Sequence, residues 1–136
     1  MKKRILFLDD DRFSMTPYAE KLQAEGYIVD FYIEPADAYD YFIVRNQDCT
    51  RQGQYDLMIV DLMMRLSPDE LPEEAEQAGI RFVSEARERY QVFCPVLFLT
   101  VLCDEDIVAK AAKFGKVLQK PISIESFMNR VREAIK

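Results

Sequence analysis

Residues 5–8 (ILFL), 57–60 (LMIV) and 96–99 (VLFL) are apolar at every position. Runs without alternation belong to strands buried on both faces, as in a parallel sheet covered by helices. Two weaker strands are predicted at 27–32 and 116–119. Between them the apolar positions recur at helical spacing. Ile124, Phe127, Met128, Val131 and Ile135 form one stripe behind Ser123, a side chain suited to capping a helix N-terminus. Ile80, Val83, Ala86 and Tyr90 form a second stripe. Ile107, Val108, Ala111 and Phe114 form a third, capped by Asp104. Thr16 before Pro17 predicts a helix start, Gly26 a helix stop, and Pro35 opens a helix to about Val44. The pattern is βα repeated five times, a doubly wound α/β domain spanning 1–136 with no internal repeat or linker. Residues 66–78 (LSPDELPEEAEQA) carry two prolines, five acids and no base, and predict a long acidic loop at about 65–79.

Composition narrows the function classes. The 136 residues are 49% apolar and 31% charged, enough for a buried core and a soluble surface. A net charge of −6 argues against nucleic acid or an anionic membrane as partner. No apolar run is long enough to span a bilayer or to serve as a signal peptide, which points to the cytoplasm. Cys49, Cys94 and Cys103 lack metal-type spacing and read as reduced, apolar fillers. With no histidine in the chain, histidine catalysis and histidine-ligated metals are excluded.

The chemistry gathers where the strands end. Asp9, Asp10 and Asp11 follow the first strand, Asp61 ends the third, Thr100 the fourth, and Lys120-Pro121 follows the fifth. In open α/β sheets these carboxyl ends form one rim, where ligands bind. Neighbouring carboxylates repel, and a hard cation such as Mg²⁺, which takes oxygen ligands, offsets that repulsion. Asp61, at the end of the most apolar strand, is placed to attack phosphorus as a nucleophile. Phosphoryl transfer needs positioning and charge neutralisation, which Mg²⁺, Lys120 and the Thr100 hydroxyl supply. Taken singly, an Asp run is a turn or cap, Thr100 a strand-end cap and Lys120 a surface lysine; their value is joint.

This set resembles the receiver domain of two-component response regulators over essentially the whole chain. The resemblance rests on the pair Asp9-Asp10, on Asp61 in IVDLMM, on Thr100 in PVLFLT and on Lys120-Pro121 in VLQKP. It implies a flavodoxin-like (βα)5 sandwich with a five-stranded parallel sheet of order 2-1-3-4-5. It also implies that Asp10 ligates Mg²⁺ directly and Asp9 through water, with Asp61 and the Met63 backbone carbonyl completing the protein ligands. Asp61 would be the phosphoacceptor, receiving its phosphoryl group from a histidine kinase or histidine phosphotransfer protein. Thr100 would swing toward that group and Lys120 would pair with it, with the Lys120-Pro121 bond cis. Asp11 would begin the loop into the first helix. The expected protein is a stand-alone phosphorelay switch, not an enzyme, monomeric or weakly dimeric, whose output is an unknown downstream protein.

Several positions depart from the family pattern. Val117 stands where receivers often carry an aromatic, Arg65 where a proline is common, and Val101 where a small residue is usual. The separation from Thr100 to Lys120 is a little short, which predicts that the helix between them or its flanks are trimmed. Met63, Leu102 and Val101 are expected to flank the phosphoryl group and hinder an attacking water. The acidic insert is expected beside the pocket. The alternatives are a pseudo-receiver scaffold not controlled by phosphorylation, and an aspartate-nucleophile phosphatase, which would carry a second aspartate where Met63 stands. A flavodoxin-like cofactor binder lacks its phosphate loop here.

Overall fold

A computed structural model of the chain describes residues 2–47, 55–64, 72–101 and 104–136. Its elements are β1 (Arg4–Leu8), α1 (Arg12–Ala24), β2 (Ile28–Tyr32), α2 (Pro35–Gln47), β3 (Leu57–Asp61), α3 (Pro72–Glu76), α4 (Ala78–Tyr90), β4 (Val96–Thr100), α5 (Glu105–Ala112), β5 (Lys116–Gln119) and α6 (Ile124–Ile135). The five strands form one parallel sheet in the order β2-β1-β3-β4-β5. The chain is a doubly wound α/β fold of the flavodoxin-like type.

The unalternating strands bury side chains toward both faces, because successive residues point to opposite sides. Ile5, Phe7, Leu57, Ile59, Leu97 and Leu99 pack under α1 and α6, against Met15, Leu22, Phe127 and Val131. Leu6, Leu8, Met58, Val60, Val96 and Phe98 pack on the other face against Phe42, Phe82, Val83 and Ile107. Each fully buried side chain of this size contributes about 1.5–3 kcal/mol, so the central strands are the most firmly held part of the molecule.

Helix ends mostly follow the sequence. Ser123 caps α6 through Ser126, and Asp104 caps α5 through Asp106 and Ile107. Gly26, at φ +98°, ends α1 with Tyr27 N–H donating to the Leu22 carbonyl and Gly26 N–H to that of Gln23. The start of α1 corrects the expectation. The helix begins at Arg12, not near Thr16, because Asp11 accepts from the Ser14 N–H and caps it. Pro17 therefore lies inside the helix and leaves the carbonyl of Phe13 without its usual donor, on a residue that is 91% exposed. Asp11 is a helix cap, not the start of a loop.

The acidic segment is also reshaped. Residues 72–76 form α3 and α4 begins at Ala78, so the second half of the expected loop is helical. Residues 65–71 fall outside the described residues, with Arg65 among them, as do Leu102, Cys49 and Cys103. Cys94 is half-buried against the core. Helix α5 has eight residues against thirteen in α1, α2 and α4, matching the expected trimming.

Candidate functional site

Register brings the strand ends together. Leu8 pairs with Val60, Asp61 with Leu99 and Thr100 with Gln119, so the residues after β1 and β5 reach the same rim as Asp61. One carboxylate oxygen from each of Asp9, Asp10 and Asp61 lies within 4.8 Å of the others. The Lys120 ammonium closes the group, with Nζ 2.9 Å from Asp9 Oδ2 and 3.8 Å from Asp61 Oδ2. Asp9 is fully buried and Asp61 is 6% exposed, whereas Asp10 faces solvent.

Backbone contacts hold these side chains in place. The Asp11 N–H donates to Asp9 Oδ1 at 2.8 Å, and the Met63 N–H donates to Asp61 Oδ1 at 3.3 Å. The Lys120 N–H donates to the Thr100 carbonyl at 2.7 Å, and the Lys120-Pro121 bond is cis. Thr100 is fully buried at the end of β4. It is not among the residues lining the adjoining cavity, which its neighbour Val101 does line.

Electrostatics here is strongly perturbed. Burial pushes the Asp61 carboxyl up to about 8, helped by the charges of Asp9 and Asp10 and opposed by Lys120 and the Met63 N–H. Burial pulls the Lys120 ammonium down, but its hydrogen bond to Asp9 and the charges of Asp61, Asp9 and Asp10 outweigh it and raise it. Among the described residues, three close carboxylates share the one Lys120 ammonium. All-oxygen donors at this spacing suit a hard divalent cation, and the three residues could hold one.

A cavity of about 680 Å³ opens onto the group. Asp10, Asp61, Lys120, Met63 and Val101 line it, together with Ser14, Met15 and Tyr18 from α1 and Ala75 and Glu76 from α3. The α1 residues went unnoticed in the sequence, although they share one helical face with Asp11 once the helix start is placed correctly. Gly79 was missed too. A Cβ there would lie 2.4 Å from the Asp61 carbonyl oxygen and 2.8 Å from Leu62 Cα, and its N–H donates to the Leu62 carbonyl at 3.0 Å. Only glycine lets α4 approach the end of β3 so closely, and a lone glycine directly before the stripe that begins at Ile80 was the available signal.

No protein-family model and no curated protein matches the chain, but solved structures match it along its length. A signal receiver domain of a response regulator from Bermanella marisrubri superposes with a TM-score of 0.74 at 18% identity, covering 100% of both chains. The chemotaxis response regulator CheY4 of Vibrio cholerae gives 0.71 at 22% identity, over 98% of this chain and 99% of its own. The receiver domain of the hybrid histidine kinase CckA gives 0.67 at 26% identity, again over 98% and 99%. With its five-stranded parallel sheet in the order 2-1-3-4-5, this chain is folded as a receiver domain of the response-regulator type.

Proposed function

We propose that the protein is a phosphoacceptor switch: Asp61 accepts a phosphoryl group from a phosphohistidine of a kinase or phosphotransfer protein, and the modified domain binds a downstream protein differently. One observation carries this reading: three strand-end carboxylates within 4.8 Å of one another, bridged by the Lys120 ammonium and opening into a cavity. Asp9, Asp10, Asp61 and the Met63 carbonyl would hold Mg²⁺. When bound, the ion neutralises the carboxylates and withdraws charge from the phosphoryl oxygens.

The chain's own groups account for the rest. A carboxylate oxygen of Asp61 forms the new bond to phosphorus as the P–N bond breaks, and the imidazole departs with that electron pair. Lys120 holds its proton throughout and counters the charge on the phosphoryl oxygens. Thr100, at the end of β4, supplies a hydroxyl that reorients toward the phosphoryl group and carries Val101 with it. A phosphatase would need a general acid where Met63 stands, and a thioether cannot serve.

The test is incubation with Mg²⁺ and a small phosphoryl donor, followed by intact-mass measurement. The expected product gains one base-labile phosphoryl group, needs the divalent ion, and does not form in Asp61→Asn. A stoichiometric adduct in that variant, or continuous turnover of a phosphate monoester, would overturn the assignment.

A further inference from the structure

The cavity wall contributed by α3 carries a charge that the phosphoacceptor reading does not use. Met64 N–H donates to the Ala75 carbonyl at 3.1 Å, which ties α3 directly to the segment leaving β3. Ala75 and Glu76 consequently line the same cavity as Asp10, Asp61 and Lys120. Glu76 is half-buried, and its carboxylate is not one of the three that cluster within 4.8 Å. It belongs to the wall of the cavity, outside the candidate ligand set.

The charges explain why that position matters. Asp9, Asp10 and Asp61 are balanced by Lys120 and a divalent cation together, so the inner site is close to neutral once loaded. Among the described residues, the remaining acids that line the cavity and face an incoming donor are Asp11 and Glu76. Asp11 is committed as the cap of α1. Glu76 has no such role in α3, whose last turn holds no base.

We propose that Glu76 is a specificity-determining residue of the phosphoryl-transfer site, selecting donors whose phosphoryl group sits on a protonated nitrogen over dianionic acyl phosphates. The inference rests on the phosphoacceptor reading. A doubly charged acyl phosphate is repelled by the Glu76 carboxylate with its full charge. A phosphoryl group on a cationic nitrogen presents less net charge and a positive atom to the same wall. The chemistry is otherwise alike: the Asp61 oxygen bonds to phosphorus as the P–O bond breaks and acetate leaves with the electron pair, or as the P–N bond breaks and ammonia leaves with it.

The experiment compares acetyl phosphate with phosphoramidate as donors, at saturating Mg²⁺, in the wild type, Glu76→Gln and Glu74→Gln. Glu74 is the control on the same helix, because it lines a separate groove with Gln77, Ile80 and Arg81. Removing the Glu76 charge should speed modification by acetyl phosphate by about two- to fivefold while leaving phosphoramidate nearly unchanged. The gap between donors should shrink as salt is raised from about 0.01 to 0.15 M, as screening shortens the Debye length. Equal acceleration with both donors, no acceleration in folded Glu76→Gln, or the same selective effect from Glu74→Gln would overturn the role of Glu76. Failure of the phosphoacceptor reading looks different: neither donor modifies any of the three proteins.

Discussion

Replacing Asp61 by asparagine is expected to make the metal-free protein more stable. In the fold the carboxyl is pushed up to about 8, chiefly by burial and then by Asp9 and Asp10, from an ordinary value of 3.8. A carboxyl raised in this way favours folding fully below its unfolded value, and the advantage is lost as pH rises through the folded value. Across that window the unfolded chain ionises while the folded one resists, at about 1.4 kcal/mol per pH unit. At pH 7 the destabilisation therefore has a ceiling of about 4 kcal/mol. Asparagine escapes it but gives up the attraction of Lys120, whose Nζ is 3.8 Å away. The net gain is about 1–3 kcal/mol, or about 3–12 °C in Tm for a domain of this size. Urea or thermal unfolding in excess EDTA, followed by circular dichroism at about pH 5 and pH 7.5, measures it, and the difference should widen toward the higher pH. Adding Mg²⁺ at a hundred times its Kd stabilises the wild type by about 2.7 kcal/mol and closes the gap. A variant less stable than the wild type in EDTA at the higher pH, or a difference that does not change with pH, would refute the reasoning.

Three further outcomes follow from the geometry. Lys120→Met leaves the fully buried Asp9 without its 2.9 Å partner; equilibrium unfolding at neutral pH should show a loss of about 3–5 kcal/mol, and Mg²⁺ should restore part of it. Gly79→Ala forces a methyl group against the Asp61 carbonyl oxygen, 2.4 Å away, and should cost about 1–3 kcal/mol in urea unfolding while slowing adduct formation. Met63 and Val101 line the cavity beside Asp61, so Met63→Asn, which offers water a hydrogen-bonding partner, should shorten the phosphorylated lifetime measured by loss of adduct. A wild-type half-life of seconds would remove the premise of that last expectation.

Much of this fold was readable because the central strands are apolar without a break. The runs at 5–8, 57–60 and 96–99 became β1, β3 and β4, each a residue longer than its apolar run, and the weak 116–119 segment became β5. Asp9, Asp10 and Asp61 were legible for the same reason, since a buried strand that ends on a charged residue marks the rim of a parallel sheet, whereas Lys120, after the weak and half-exposed β5, was legible only jointly with them. The start of α1 was misread because proline favours first turns, and here a side-chain cap at Asp11 outweighed that preference. Helix α3 could not be read from PEEAE, whose five residues are too few for a hydrophobic stripe and which is fixed instead by a backbone bond from Met64. The polar network of Arg4, Asp30 and Tyr55 was equally hidden. Its 2.8 and 2.7 Å contacts join residues 26 and 25 positions apart, and no local pattern encodes them. Val117 is half-buried against the core in β5, opposite Phe98 of β4.

The central claim is chemical: the Asp61 side chain, and no other group, takes up phosphorus. Borohydride reduction converts an aspartyl phosphate to homoserine, so peptide sequencing of the protein reduced after treatment with Mg²⁺ and phosphoramidate reads the acceptor directly. The account predicts homoserine at position 61 alone, absent when EDTA replaces Mg²⁺. Homoserine at another aspartate, or a folded protein that remains unmodified while binding Mg²⁺, would contradict it.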